Sequence, residues 1–445
     1  MPVHITRDIF AALLDWRARS NRKVLLLRGP RQVGKTYIVR QLRSQFTHFL
    51  EINFLESGFA KGLFDPQDLN PHALLSRLSG YYGVPIEDDR TLLFLDEVQA
   101  CPAAISALRF LHEKRPGLHV IAAGSLLEFA LADIPSFGVG RIESLFMHPL
   151  TFKEFLGAST HQGLVSALST MRIDEPHFEV FHHRLVSICR SFMCIGGLPE
   201  VVVTFLEGND YSAAMHTLDT IRTGLEQDFS LYSGRVPLAR LKEVLRSSAL
   251  QAGKKFIHTH AYPDASSQQV QHALGLLSDA GIINRMYHSH CAGLPLGAGV
   301  DLKKFKVLPF DHALYQRLIG ITPAELLLAN DIDMLNKGAL AEVYVANQIL
   351  AHSTPTLPGE LYYWHREARS ANAEVDLVVP LDGHIVPIEV KAGSRGGMKS
   401  LRVFMHEKGS AIGVRVAFEQ PARVGELLVI PIYAISELQR LVREA

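Results

Sequence analysis

Short apolar runs alternate with stretches of helical periodicity through the first third of the chain. Strands that are buried on both faces of a sheet are continuously apolar, and strands joined by helices run parallel. The pattern therefore predicts an α/β core built on a parallel sheet. A short helix precedes this core, with Thr6 as its expected N-cap. The predicted strands are Val24–Leu27, Phe49–Phe54, Thr91–Leu95, His119–Ala123 and Leu145–Met147.

The strand pattern ends near Leu150, and the chain becomes helical as far as about Val236. Helices are predicted over Phe178–Phe192 and Ala213–Phe229. We expect this part to form a helical lid next to the sheet.

A different order follows between Leu238 and His288: a helix, a loop, and a second helix that begins at Ser266 and stops near Gly281. This order resembles a winged helix-turn-helix, with Leu294–Gly299 as its wing or as a linker. Such a unit either places its second helix in a DNA groove or serves only for packing.

The last part of the chain predicts a small α/β unit. A helix begins at Gly338, and strand-like runs follow it. These runs are Leu361–Trp364, Val375–Pro380, Ile385–Val390 and Leu427–Tyr433.

Composition narrows the class of protein. The chain has 445 residues, enough for several domains, and is 47% hydrophobic and 20% charged, as in globular proteins. Lys+Arg and Asp+Glu both total 45, so any contact with nucleic acid must come from a local patch. Four cysteines without zinc spacing predict a reduced, cytoplasmic protein. The sequence contains no stretch of about 18 uncharged apolar residues, so no membrane span is predicted.

The strongest motif follows the first predicted strand and matches G-x-x-x-x-G-K-[ST]. Its glycines let backbone N–H groups approach phosphate oxygens, Lys35 reaches the terminal phosphates, and the Thr36 hydroxyl can bind Mg²⁺. We therefore predict ATP and Mg²⁺ as cofactors. The predicted nucleotide-binding residues are Gly29, Pro30, Arg31, Gln32, Val33, Gly34, Lys35, Thr36 and Tyr37.

Two carboxylates end the third predicted strand, where ligands bind in open α/β sheets. Asp96 is expected to hold Mg²⁺ together with Thr36, and Glu97 to orient and deprotonate the attacking water. Together with the phosphate loop, these residues predict a nucleotide hydrolase.

The segments "GPRQVGKT" at Gly29–Thr36 and "LDEVQ" at Leu95–Gln99 resemble those of a family of bacterial and archaeal AAA+ ATPases. The resemblance implies that Ser125, after the fourth strand, is a polar sensor of the γ-phosphate or the attacking water. It also implies that Arg141 is an arginine finger that completes a neighbour's site. A surface salt bridge is the alternative for Arg141. The expected assembly is a homo-oligomer such as a hexameric ring.

The C-terminal domain of that family resembles the PD-(D/E)XK nucleases, and matching residues occur here. Glu389 and Lys391 are two apart on a predicted strand and so share a face. The resemblance implies that Glu342, Asp376 and Glu389 hold Mg²⁺ and that Lys391 positions water. The same fold can also serve as a DNA-binding platform that does not cut.

Together, these features predict an α/β protein with a RecA-like AAA+ core (1–156), a helical lid (157–236), a winged helix (237–300) and a restriction-endonuclease-like domain (301–445). The predicted function is ATP-driven translocation on, or remodelling of, duplex or branched DNA. One alternative is a nucleotide-gated switch in signalling or defence without motor activity. Another is an ATP-regulated nuclease.

Overall fold

The computed structural model describes residues 3–132, 140–174, 178–231, 236–328, 338–366, 373–391 and 398–445. The helices before the second sheet are α1 (Ile9–Ala18), α2 (Lys35–Leu42), α3 (Gly58–Leu63), α4 (Pro71–Tyr82), α5 (Pro102–Lys114), α6 (Leu127–Ala132), α7 (Phe152–Ala158), α8 (Gln162–Thr170), α9 (Glu179–Ile195), α10 (Pro199–Gly208), α11 (Tyr211–Asp228), α12 (Leu238–Leu250), α13 (His258–Ala261) and α14 (Ser267–Asp279). The later helices are α15 (His312–Ile319), α16 (Pro323–Leu328), α17 (Ala339–Ala351), α18 (Lys399–Lys408) and α19 (Leu438–Arg443).

The strands form two sheets. The first contains β1 (Val24–Arg28), β2 (His48–Asn53), β3 (Thr91–Asp96), β4 (His119–Ala123) and β5 (Ile142–Phe146). The second contains β6 (Ile283–Ser289), β7 (Val300–Pro309), β8 (Leu361–His365), β9 (Glu374–Leu381), β10 (His384–Lys391), β11 (Gly413–Ala417), β12 (Ala422–Val424) and β13 (Leu427–Pro431).

The first sheet confirms the predicted parallel core. Its strand order is β2-β3-β4-β1-β5, and every neighbouring pair is parallel. The carboxyl ends of β1, β3 and β4 therefore lie side by side at one edge. This arrangement brings the three sequence segments that follow those strands into one place.

Alternation along the strands divides the core into two layers. Leu25 and Leu27 of β1 pack in one cluster with α1 and the helices after residue 150, whereas Val24 and Leu26 pack on the other face with α4 and α5. Side chains two apart share a face, so a continuously apolar strand fills both layers.

The prediction for Thr6 is wrong, because α1 begins at Ile9, with Asp8 at the N-cap position. The Asp8 side chain makes no capping bond; instead, its backbone N–H donates to Glu154 Oε1 at 2.8 Å. Glu154 also completes the capping box of α7 with Thr151. A distant carboxylate therefore replaces a local cap.

Helices α7 to α11 form the part predicted as helical, and α9 and α11 confirm the two predicted helices. Their buried side chains belong to the same apolar cluster as the first sheet and the second sheet. Helices α7 to α11, called the lid below, therefore pack in one cluster with residues of both sheets.

The segment after the lid contains α12, α13 and α14, followed by the antiparallel hairpin of β6 and β7. Ser266 is the N-cap of α14 and forms a capping box with Gln269, as the predicted helix start required. The expected boundary after residue 300 falls at the first residue of β7, so it would divide this hairpin, whose two strands both join the eight-stranded second sheet beside β8.

The C-terminal helix and strands are present as α17, β8, β9, β10 and β13. The sequence prediction did not include β11, β12 and α18. The order in the second sheet is β12-β13-β11-β10-β9-β8-β6-β7. Across the described ranges, no helix is both long enough and apolar enough to span a bilayer.

Candidate functional site

The loop after β1 curls because three of its residues have positive φ. These are Gly29 (φ 134°), Gln32 (φ 64°) and Gly34 (φ 91°). A Cβ at Gly29 would lie 2.1 Å from the backbone oxygen of Met147, so no larger residue fits there without a shift of the backbone. The loop leads directly into α2, whose first turn supplies free N–H groups for an anion.

Lys35 begins α2 and is almost fully buried. Its Nζ donates to the backbone oxygens of Gly29 at 2.9 Å and of Pro30 at 2.6 Å. Burial lowers the pKa of Lys35 to about 8, although Glu97 and Asp96 act in the opposite direction. The ammonium is held by neutral carbonyls, and an incoming phosphate would supply the anion that it lacks.

Thr36 and Asp96 meet across the sheet edge, where the Thr36 hydroxyl donates to Asp96 Oδ2 at 2.8 Å. Asp96 is buried at the end of β3, and burial raises its pKa. A hydroxyl and a carboxylate oxygen at this distance are the donor types that Mg²⁺ takes next to a nucleotide. The donor set therefore fits Mg²⁺.

Glu97 follows Asp96 in a left-handed conformation with φ 52°. Its Oε2 accepts from Gln99 Nε2 at 2.5 Å and from the hydroxyl of Ser125 at 3.4 Å. Gly124 leaves room for Gln99, because a Cβ there would lie 2.2 Å from Gln99 Oε1. Strained backbone of this kind is found at functional sites, and here it orients the carboxylate.

Arg31 links the loop to the lid, a contact that no sequence motif predicts. Its Nε donates to the Ser125 hydroxyl at 3.0 Å, and its Nη1 lies 2.6 Å from Asp228 Oδ2. Asp228 is the last residue of α11. A continuous chain of contacts therefore runs from the lid through Arg31 and Ser125 to Glu97.

Arg7 contacts the loop from the other side, and the sequence analysis did not predict this role. Its Nη1 donates to the backbone oxygen of Val33 at 2.9 Å and its Nη2 to that of His148 at 2.7 Å. Its Nε pairs with Glu154 at 3.0 Å. These partners are distant in sequence, so no local pattern could reveal the role of Arg7.

Two further turns pack against the loop. Pro199 of the segment Gly197–Pro199 lies 3.5 Å from the position of a Cβ on Gly34. Gly281, between α14 and β6, lies against Pro30, since a Cβ there would be 3.1 Å from Pro30 Cγ. Beside this contact is a cavity of about 430 Å³ lined in part by Gly29, Pro30 and Gly281.

Arg141 lies at the amino end of β5, next to Ile142, which pairs with Val24 at the start of β1. The phosphate loop follows the opposite end of β1. Arg141 Nε lies 2.9 Å from Glu113 Oε1, and its side chain is 43% exposed. Arg141 is thus placed at a surface away from the nucleotide loop of its own chain.

The four C-terminal residues predicted to act together lie in one charged cluster. Asp376 Oδ2 accepts from the backbone N–H of Val390 at 2.8 Å, and Lys391 Nζ lies 2.8 Å from Glu389 Oε1. Burial is the largest cause that raises the pKa values of Glu342 and Glu389 to about 7, and the charge of Asp376 raises both further.

The cluster contains a residue that the sequence did not predict. Lys306 of β7 is fully buried, and its Nζ lies 2.8 Å from Glu342 Oε1 and 2.7 Å from Glu374 Oε1. Burial alone would lower the pKa of Lys306, but the surrounding carboxylates outweigh it and raise that pKa. In the ranges that the structure describes, no group of three or more His, Cys, Asp or Glu side chains is placed to hold a metal ion.

Comparison with known families divides the chain into three parts. Residues 21–156 match a family model described as an AAA domain. Residues 187–325 match a domain of unknown function (DUF8612), and residues 337–435 match another (DUF4143). The first match covers the phosphate loop, Asp96, Glu97 and Ser125, and supports an ATPase of the AAA type.

Curated relatives include uncharacterized proteins of Mycobacterium bovis and Mycobacterium tuberculosis. Each is 26% identical over 400 residues, which are 87% of this chain and 74% of the relative. Among solved structures, a Walker-type ATPase of Pyrococcus abyssi has a TM-score of 0.46 and 16% sequence identity, over 71% of this chain and 96% of that one.

Proposed function

We propose that this chain binds ATP with Mg²⁺ at the edge of the first sheet, hydrolyses it, and uses the turnover to act on DNA. The observation that carries the hydrolase is the meeting of Lys35, the pair Thr36–Asp96, Glu97 and Ser125 at the adjacent ends of β1, β3 and β4. A phosphate-binding loop, oxygen ligands for a cation and an oriented carboxylate are the parts that phosphoryl transfer to water requires.

Each residue has a separate task in this proposal. Lys35 leaves the carbonyls of the loop to neutralise the terminal phosphates. Thr36 and Asp96 hold Mg²⁺, which supplies positive charge to the phosphate oxygens. Glu97 orients the attacking water and takes its proton, and Ser125 keeps Glu97 in position.

The DNA-acting part of the proposal rests on the units that touch the phosphate loop. Pro30 packs against Gly281, which follows the last helix of the unit α12–α14. A shift of the loop would therefore move this contact. The first turn of α14, including its N-cap Ser266, is exposed at residues 266–269. In a winged helix this helix enters the major groove, and its exposed polar residues suit contact with DNA.

The proposal includes an oligomer in which Arg141 completes the site of a neighbouring subunit. Its exposed position far from its own loop supports action in trans. Mixing Arg141→Ala with Lys35→Ala subunits should restore part of the turnover, because each mixed interface with one intact loop and one intact arginine is complete. Mixed assemblies without any recovery would contradict this role; Arg109→Ala, which removes the other arginine bound to Glu113, is the matched control.

Steady-state ATP turnover with Mg²⁺ tests the function itself. It should be measured alone and with single-stranded, duplex and four-way-junction DNA, with Lys35→Ala as the blank. Glu97→Gln should bind ATP but hydrolyse it about 10²–10⁴-fold more slowly. Stimulation by one DNA form would support the DNA-acting enzyme and name its substrate class. Normal turnover by Glu97→Gln would remove Glu97 as the base.

A nucleotide-gated switch is the second candidate, and the contact between Arg31 and Asp228 favours it. This ion pair joins the loop that binds phosphate to the last residue of a lid helix. A bound nucleotide would compete for Arg31 and so alter the position of the lid. Turnover that no DNA form changes, together with a nucleotide-dependent oligomeric state, would favour the switch over the DNA-acting enzyme.

A further inference from the structure

The carboxylate cluster of the second sheet already contains a cation, the ammonium of Lys306. Its Nζ lies between Glu342 and Glu374 at 2.8 and 2.7 Å, and 5.0 Å from the ring centroid of Tyr363. Two carboxylates and an aromatic face are the surroundings that stabilise a buried ammonium. Lys306 is fully buried, so this charge is neutralised by the protein rather than by water.

The resemblance to nucleases implies Mg²⁺ at Glu342, Asp376 and Glu389, and the arrangement does not fit that ion. Mg²⁺ demands near-octahedral oxygen coordination at about 2.0–2.1 Å. One oxygen of Glu342 is already bound to the ammonium, which repels a divalent cation at close range.

A second observation shows which oxygen could bind a cation if the Lys306 ammonium were removed. Glu389 has a side chain only 8% exposed, and its Oε1 is bound by Lys391. Its buried Oε2 has no hydrogen-bond partner within the described ranges. A buried carboxylate oxygen without a donor is costly, and a cation placed nearby would relieve that cost.

We propose that the Lys306 ammonium takes the place of a divalent cation in this cluster. The C-terminal unit then folds without a metal ion and does not cut phosphodiesters by metal-assisted attack. The same lysine fastens the β6–β7 hairpin, which carries it, to α17, which carries Glu342. Its removal would expose a latent site for an oxygen-preferring divalent cation.

The test is a titration of the nucleotide-free full-length chain with Mn²⁺, in which the electron paramagnetic resonance signal measures the ion that remains free. Wild type and Asp376→Asn should bind Mn²⁺ equally, because the cluster contributes no metal site. Lys306→Met should gain one bound Mn²⁺ per chain, and Lys306→Met with Asp376→Asn should lose it again. Lys306→Arg keeps the cation and should gain none.

Two outcomes would overturn the proposal. The first is Mn²⁺ binding by the wild type that Asp376→Asn abolishes. The second is a Lys306→Met protein, folded by circular dichroism, that binds no more Mn²⁺ than the wild type. If Lys306→Met does not fold, the comparison of wild type with Asp376→Asn still tests whether the native cluster binds Mn²⁺.

Discussion

A buried lysine lies near acidic residues at each sheet, Lys35 at the start of α2 and Lys306 in β7, and the two lysines differ in what neutralises them. Lys35 donates to two backbone oxygens, and burial lowers its pKa to about 8. Lys306 contacts two carboxylates directly, and its pKa is raised. A lysine held by neutral groups is ready for an anion, whereas a lysine held by carboxylates already has its partners.

The difference teaches how to separate a binding site from a structural charge cluster. Both regions contain the residue types that phosphate chemistry requires; the first was predicted from sequence motifs and the second from a family resemblance. At the first sheet, Asp96 accepts from a hydroxyl and Glu97 from an amide, so Asp96 can take a cation and Glu97 can act on water. At the second sheet, Lys306 has taken that position.

The largest expected effect comes from replacing each lysine with methionine. Lys35→Met should abolish ATP turnover and change the free energy of unfolding by only about 1 kcal/mol, because the ammonium donates to backbone oxygens rather than to a carboxylate. Lys306→Met should lower the free energy of unfolding by about 3–5 kcal/mol, since it leaves buried carboxylates unpaired. Urea unfolding and ATP turnover should be measured for both variants. Equal losses of stability would contradict the proposed difference between the two lysines.

The pH dependence of nucleotide binding sharpens the comparison next. Phosphate binding needs the charged form of Lys35, whose pKa is lowered to about 8. The contribution of Lys35 to ATP affinity should therefore be constant well below pH 8. Above pH 8 the affinity should fall, and the slope should approach about tenfold per pH unit. Fluorescence titration between pH 7 and 9.5 measures it. Lys35→Arg, which stays charged, should show a flat profile; the same fall in that variant would assign the effect to another group.

The smallest expected effect concerns the lid contact. Asp228→Asn weakens the hold on Arg31, frees its charge for phosphate, and should raise ATP affinity by about twofold to fivefold, the range for partly exposed ion pairs. Asp219→Asn is the matched control, because Asp219 is on the same helix and pairs with Arg317 instead. A similar gain in both variants would mean that the helix as a whole, rather than Arg31, controls affinity.

Local patterns predicted the strands of the first sheet and brought Lys35, Thr36, Asp96 and Glu97 forward as candidates, and the structure places these residues together. Strand burial, the glycine loop and the carboxylates after β3 are properties of short segments, so the sequence could indicate them; their roles stay predictions. The contacts of Arg7, Asp228 and Lys306 could not be predicted, because their partners lie 26 to 197 residues away along the chain. The strand β11 was missed because it is only five residues long and Gly413 and Arg415 interrupt its apolar pattern.

The bonds of Arg7 also bear on the order in which the chain can mature during synthesis. Arg7 grips the phosphate loop only in company with His148 and Glu154, at sequence separations of 141 and 147 residues. A nascent chain grows at about 5–20 residues per second, and its first domain folds as a unit. The loop of a chain shorter than this therefore lacks its clamp, and Arg7 can make all of these contacts only after residue 154 has left the ribosome.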